Sequence, residues 1–180
     1  MLSTNNISIR TIKEADLEAL FNLLNDIESQ GEFLPATLTS EIELKAQYLK
    51  NGFISDDSQR YLLTNKSNNI IGSIWAFKSV PYFDAIEIGY QIFDQASRGK
   101  GYATDALKIF HQYIFESTQV NRIELRIATQ NIPSQKVALK IGFKLEGTNK
   151  EAAYSKGKLH DMHIYAMLRR EYLANSLCRE

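Results

Sequence analysis

Arg98, Gly99, Lys100 and Gly101 have the types and spacing to hold an anion. Two glycines flank a lysine, an arginine precedes them, and Tyr102 and Ala103 follow. From Ala103 onward, Ala106, Leu107, Phe110 and Ile114 recur at three- and four-residue steps, the pattern of an amphipathic helix. The first turn of a helix presents N–H groups without intrahelical partners and a partial positive charge. Glycines let a phosphate approach those amides closely. The string is no P-loop, because G-x-x-x-x-G-K-[ST] does not occur. It is no dinucleotide fingerprint either, because Thr104 stands where the last glycine belongs.

The residues just upstream must position that turn. Ile86, Ile88, Tyr90 and Ile92 alternate with Glu87, Gly89, Gln91 and Phe93, which predicts a strand. Glu87 therefore shares a face with Gly89 and Gln91, where residues are mostly small or polar. A carboxylate there suits proton abstraction; it equally suits a salt bridge within a sheet. His160 and His163 flank Asp161 and Met162, but residues three apart in a strand point to opposite faces, so no shared metal site is expected. His111 falls near the polar side of the long helix and is expected at the surface.

The remaining elements follow from pattern. Ile7 to Ile12 reads as a short strand. A helix opens at Glu14 and Ala15, with Leu17, Leu20, Phe21 and Leu24 as its apolar face. Ser40 to Gly52 reads as a second helix, with Ser40 as N-cap and Gly52 as its stop. Arg60 to Thr64 and Ile70 to Phe77 form a hairpin around Asn65 to Asn69. Arg122 to Ala128 alternates again. Asn131 suits an N-cap with Pro133 in the first turn, and Gly142 ends that helix after a buried face of Val137, Ala138 and Ile141. Phe143 to Ala153 and Leu159 to Arg169 are predicted strands joined around Gly157.

Bulk properties set bounds. The chain has 180 residues and zero formal net charge, so no basic field exists to hold nucleic acid or an anionic membrane. Residues 1–180 read as one domain. One cysteine, Cys178, allows neither an intrachain disulfide nor a cysteine metal site. The polar start lacks an apolar core for a secretory signal, and no apolar run approaches a membrane span. A cytoplasmic location is expected.

Two sequence signatures carry a resemblance. Arg98, Gly101 and Ala103 match Arg/Gln-x-x-Gly-x-Gly/Ala, which resembles the acyl-CoA pyrophosphate loop of the GNAT N-acetyltransferases. Asn131 with Ser134, then Lys140, Gly142 and Phe143, resemble that superfamily's N-x-x-S/A and K-x-G-F pieces. The resemblance spans Ile7 to Tyr172. Ser134, the stretch from Gly157 to Asp161 and Leu168 to Tyr172 resemble the Rim-type ribosomal-protein branch. Many members carry a tyrosine general acid two residues before the lysine; here Ala138 occupies that position.

The resemblance implies an α+β GNAT fold: a mixed, mostly antiparallel sheet of about seven strands, about four flanking helices and a splay between the central strands. It implies acetyl transfer from acetyl-CoA to a primary amine, with no metal. Arg98, Gly99, Lys100, Gly101, Tyr102 and Ala103 would hold the pyrophosphate. Main-chain groups of Tyr90, Gln91 and Ile92 would hold the pantetheine arm, with an N–H near Ile92 facing the oxyanion. Asn131, Ser134 and Lys140 would complete the cofactor side. Ser134 is the general-acid candidate, although serine also caps helices; Glu87 is the general-base candidate. Glu32, Phe33, Tyr82, Phe83 and His160 are the acceptor-site candidates, with Glu28 a further acid for a cationic amine. The acceptor reads best as the N-terminal amine of a ribosomal protein. A small amine such as an antibiotic or polyamine is the alternative, and a catalytically silent acyl-CoA-binding protein is the alternative of another class. A monomer or homodimer fits.

Overall fold

The computed structural model describes residues 1–27, 30–35 and 37–177; Glu28 and Cys178 lie outside the described residues. Eight strands form a single sheet: β1 (Leu2–Ser3), β2 (Ile7–Arg10), β3 (Ser58–Asn65), β4 (Ile70–Phe77), β5 (Ala85–Ile92), β6 (Arg122–Ala128), β7 (Lys144–Ser155) and β8 (Lys158–Leu168). Their order is β1-β2-β3-β4-β5-β6-β8-β7. Among the described residues five α-helices accompany them: α1 (Leu17–Asn25), α2 (Glu41–Asn51), α3 (Tyr102–Ser117), α4 (Ile132–Ile141) and α5 (Arg169–Leu177). The mixed, mostly antiparallel α+β layout is as expected. The additions are the two-residue edge strand β1 and the C-terminal helix α5.

Every neighbouring pair is antiparallel except β5 and β6, which run parallel. That parallel register holds for only three pairs, Ala85 with Arg122, Ile86 with Ile123 and Glu87 with Glu124. Beyond them β5 stays with β4 as far as Ile92, and β6 stays with β8 as far as Ala128. The sheet therefore splays open at its centre, as the sequence leads one to expect.

Alternation along the strands builds two cores. Tyr61, Leu63, Ile74, Ile88 and Ile123 pack beneath α3 and α4, around Leu107, Phe110, Ile114 and Ala138. On the opposite face Leu62 and Phe93 join Leu17, Leu20 and Leu44 of α1 and α2. Burying such side chains contributes on the order of 1.5–3 kcal/mol each. α4 is capped as its sequence indicates: the Asn131 side chain accepts from the Ser134 amide, and Gly142 closes the helix in the left-handed conformation. Within it Ala138 is fully buried, whereas Val137 and Ile141 are half-buried. Gly52 likewise ends α2, but the Ser40 side chain makes no capping bond.

His111 departs from expectation. It is buried, with 4% of its surface exposed. Its Nδ1 lies 2.8 Å from the Leu107 carbonyl, and its ring stands edge-on to Phe115, Phe143 and Tyr172. The cage is built from α3, α5 and the residue before β7, and it buries a side chain that the helical pattern alone puts outside. Arg169 closes the same corner: its guanidinium donates to the carbonyls of Phe115, Thr118 and Val120 at 2.7, 2.6 and 3.0 Å. A cation thus serves the unpaired carbonyls at the end of α3.

Candidate active site

The turn between β5 and α3 is shaped by local hydrogen bonds. Asp94 accepts from the Ala96 amide at 2.9 Å and from the Ser97 hydroxyl at 3.2 Å, winding a short 3-10 turn. The Arg98 guanidinium folds back and donates to the Ile92 carbonyl at 3.3 Å. Gly99 and Gly101 then adopt φ of 74° and 83°, a region that disfavours any residue with a Cβ. Nothing lies within 4 Å of where those side chains would start, so the mouth of α3 is open. Gly101 is its N-cap and Tyr102 and Ala103 its first residues. Asp105, the one acid in that first turn, is engaged by the Asn6 amide at 2.8 Å.

The splay runs up to the start of this turn. Past Glu87 the edges of β5 and β6 part company, so Ile88 to Ile92 offer main-chain groups to a ligand lying as an extra strand. The open helix mouth has free amides suited to an anion, and the parted strands leave main-chain groups unpaired by a neighbouring strand. Lys140 stands exposed at the far end of α4.

Tyr90 and Ser134 meet across this opening. Tyr90 points toward α4, and its hydroxyl lies 2.6 Å from Ser134 Oγ. Burial pushes the phenol up to about 12, with the Ser134 contact pulling the other way. The sequence reading gives Tyr90 a strand position and a main-chain role beside the pantetheine arm; its side-chain contact depends on α4 returning 44 positions later.

The opposite face of β5 carries charge. Glu87 is ion-paired with Arg126. Arg126 also lies 3.4 Å from Glu124, which takes Arg122 Nε at 2.5 Å, and Arg122 pairs with Glu146. Burial raises the Glu87 carboxyl above the usual range; Arg126 and a Ser79 hydrogen bond hold it down, and Glu124 adds to the rise. Sequence reasoning passed over Arg126. The alternation of Arg122, Glu124 and Arg126 in β6 is the signal for it.

The acceptor candidates separate into groups. Phe33 and His160 come together, ring edge to face at 5.7 Å. His160 is buried, with Nε2 3.0 Å from Ser155 Oγ and Nδ1 3.2 Å from Gln130 Oε1, while Ser155 donates to the Glu32 carbonyl at 2.8 Å. This cluster latches the 30–35 segment onto the β7–β8 hairpin and leaves the Glu32 side chain exposed. Tyr82 and Phe83 pack on each other in the exposed β4–β5 connection. They sit at the end of β5 opposite the glycine turn. His163 bonds Thr148 on another part of β8, away from His160. Among the described residues no three metal-ligating side chains gather, and no helix is long and apolar enough to cross a membrane.

A family model described as an acetyltransferase (GNAT) domain matches residues 6–144. The chain belongs to the GNAT acetyltransferase family. It is an acetyl-CoA-dependent N-acetyltransferase. An uncharacterized N-acetyltransferase, p20 of Bacillus licheniformis, is 26% identical over 95% of this chain and 97% of its own. The Escherichia coli ribosomal-protein-serine acetyltransferase is 30% identical over 57% of each chain. In fold, the chain is similar to the Vibrio cholerae spermidine N-acetyltransferase solved with CoA and spermine: TM-score 0.82 at 22% identity, covering 94% of this chain and 99% of that one. The helix mouth and the splay fit acetyl-CoA in shape and chemistry.

Proposed function

We propose that the enzyme acetylates the N-terminal α-amine of a protein, with a ribosomal protein as the substrate, in a ternary complex with acetyl-CoA. One observation carries the choice over a polyamine. The carboxylates beside the opening, Glu87 and Glu124, are already held by Arg126 and Arg122. A polycation gains little from acids that arginines have neutralised. A peptide terminus brings a single amine and a backbone able to follow strand edges. The similarity to the ribosomal-protein-serine acetyltransferase supports the same choice. A cytoplasmic site of action goes with it.

In this reading the chain contributes alignment first, and effective molarity supplies much of the rate. The neutral amine attacks the thioester carbonyl; a C–N bond forms and the C–S bond breaks. Glu87 takes the amine proton through water. The Tyr90–Ser134 hydroxyl pair faces the leaving thiolate and returns a proton to it. A main-chain N–H near Ile92 faces the oxyanion.

The test is thiol release from acetyl-CoA over three acceptor sets: peptides with ribosomal-protein N-termini, spermidine, and an aminoglycoside. Peptides with a free N-terminus should lead by at least tenfold in kcat/KM, and blocking that terminus should abolish turnover. A lead for spermidine or the aminoglycoside overturns the assignment. Binding of CoA without thiol release from any acceptor favours the silent alternative.

A further inference from the structure

Arg60 of β3 is unlike the other arginines near the opening. It lies opposite Trp75 of β4, which lies opposite Gly89 of β5. The three form one row across the sheet, on the face shared with Glu87. Leu62, two residues along, packs with α1 and α2, whereas Tyr61 turns the other way, onto Phe110 of α3. Arg60 therefore faces the α1–α2 side, where an acceptor must approach a thioester held from the α3 side.

Its guanidinium lies 4.8 Å from the centre of the Trp75 ring. Among the described residues no carboxylate pairs with it, and burial alone acts on its titration, pulling it down. Arg122 and Arg126, by contrast, each hold glutamates. Its nitrogens are not sealed either: the sealed, unpartnered side-chain nitrogens among the described residues are Gln91 Nε2 and Arg126 Nε. Gly89 is what allows the indole to lie across β5, because a Cβ there would come within 2.4–2.5 Å of the ring. The result is a largely buried cation on an aromatic platform, with no carboxylate among the described residues to pair it. Stacking of this kind contributes about 0.5–2 kcal/mol and leaves the planar donor fork available.

We propose that Arg60, held on Trp75, is an anchor for a carboxylate carried by the acceptor. The proposal rests on the peptide reading above and specifies it: an N-terminus with an acidic side chain at its second or third position. The spacing supports this. β3 lies two strand intervals, about 10 Å, from β5, and an extended peptide advances about 3.3 Å per residue. A terminal amine at the splay thus brings a side chain from its second or third residue over Trp75. A charge-assisted bidentate bond to the fork is the strong form of such a contact. The same geometry disfavours a polyamine, whose second ammonium would face an uncompensated guanidinium.

The experiment uses the full chain and two tetrapeptide amides, Ser-Ala-Asp-Ala and Ser-Ala-Asn-Ala, with the pair repeated for an acidic second position. Thiol release gives kcat and KM. Trp75, the sole tryptophan, reports binding by its fluorescence in the presence of CoA. The acidic peptides should show KM at least tenfold lower than their amide counterparts, with kcat within threefold, and should shift Trp75 emission. Arg60→Gln should erase that preference and leave the neutral peptides unchanged; Arg60→Lys, a point charge, should restore part of it. Equal KM for the two peptides, or a preference that survives Arg60→Gln, overturns the anchor while leaving the peptide reading intact. A third arm separates the converse failure. Should no peptide react, 6-aminohexanoate is compared with hexylamine. An Arg60-dependent preference for the carboxylate then supports the anchor and removes the peptide reading; no preference overturns the anchor.

Discussion

The Tyr90 hydroxyl and Ser134 Oγ stand 2.6 Å apart, one on the central strand and the other in the first turn of α4. Their contact closes one side of the splay. It also turns two weak acids into a pair, in which one hydroxyl donates to the other while the second proton remains available. The tyrosine general-acid position of many relatives holds Ala138 here, fully buried and without a proton to give.

Tyr90→Phe and Ser134→Ala should each lower kcat by about 10- to 100-fold, with acetyl-CoA affinity kept within threefold. Groups that act as a unit are non-additive, so the double variant should be no slower than the worse single one. Stopped-flow thiol release alongside CoA titration checks this. Independent, multiplying losses would assign the two hydroxyls separate tasks.

The same phenol governs alkaline stability. Its folded pKa, about 12, exceeds the ordinary 10.0, so between those values the folded state retains a proton that the unfolded state has lost. Stability is fully present below pH 10 and falls as pH rises toward 12. A rise of that size corresponds to roughly 3 kcal/mol. Tyr61 and Tyr165 are also raised by burial and add to the same limb. Urea unfolding from pH 9 to 12 should show a shallower decline for Tyr90→Phe than for the parent; identical slopes would contradict it.

Glu87→Gln should reduce turnover by about 100-fold or more and leave CoA binding intact. Arg126→Gln tests the same carboxylate from its partner. Arg126 holds Glu87 down, so removing it should raise the Glu87 pKa further. The acid limb of the kcat/KM profile then moves to higher pH. A limb that stays in place dissociates Glu87 from proton abstraction.

Gly89→Ala forces the Trp75 ring to move, because the new methyl would stand 2.4 Å from an indole carbon. Overpacking of this kind costs about 1–3 kcal/mol. A lower urea midpoint together with altered tryptophan emission is the expected pair of changes. An unchanged midpoint would mean that the ring has room to yield.

What the letters reveal and what they hide divides by distance along the chain. The glycine turn is legible because positive φ and an open helix start are local demands. The Asn131 cap and the Gly142 stop are legible for the same reason. The splay is legible only through family resemblance, since no strand pattern says where pairing ceases. His111 is misplaced by its helix pattern because Phe143 and Tyr172, which lie outside α3, complete its cage with Phe115, and a helical wheel does not contain them. Tyr90 with Ser134 and Glu87 with Arg126 are pairs made by the sheet and the α4 return. Arg60 looks like an ordinary strand-edge cation until the register sets it over Trp75.

The narrow seam between β5 and β6 has a consequence for the lifetime of the molecule. Three rungs join the N-terminal five strands to the C-terminal three, and in the proposed reading the acetyl-CoA arm would lie where further rungs are missing. A ligand that bridges both halves adds about 2.7 kcal/mol of resistance to unfolding at a hundredfold excess over its Kd. Acetyl-CoA bound in the proposed position should therefore raise the melting temperature and slow proteolysis of this enzyme.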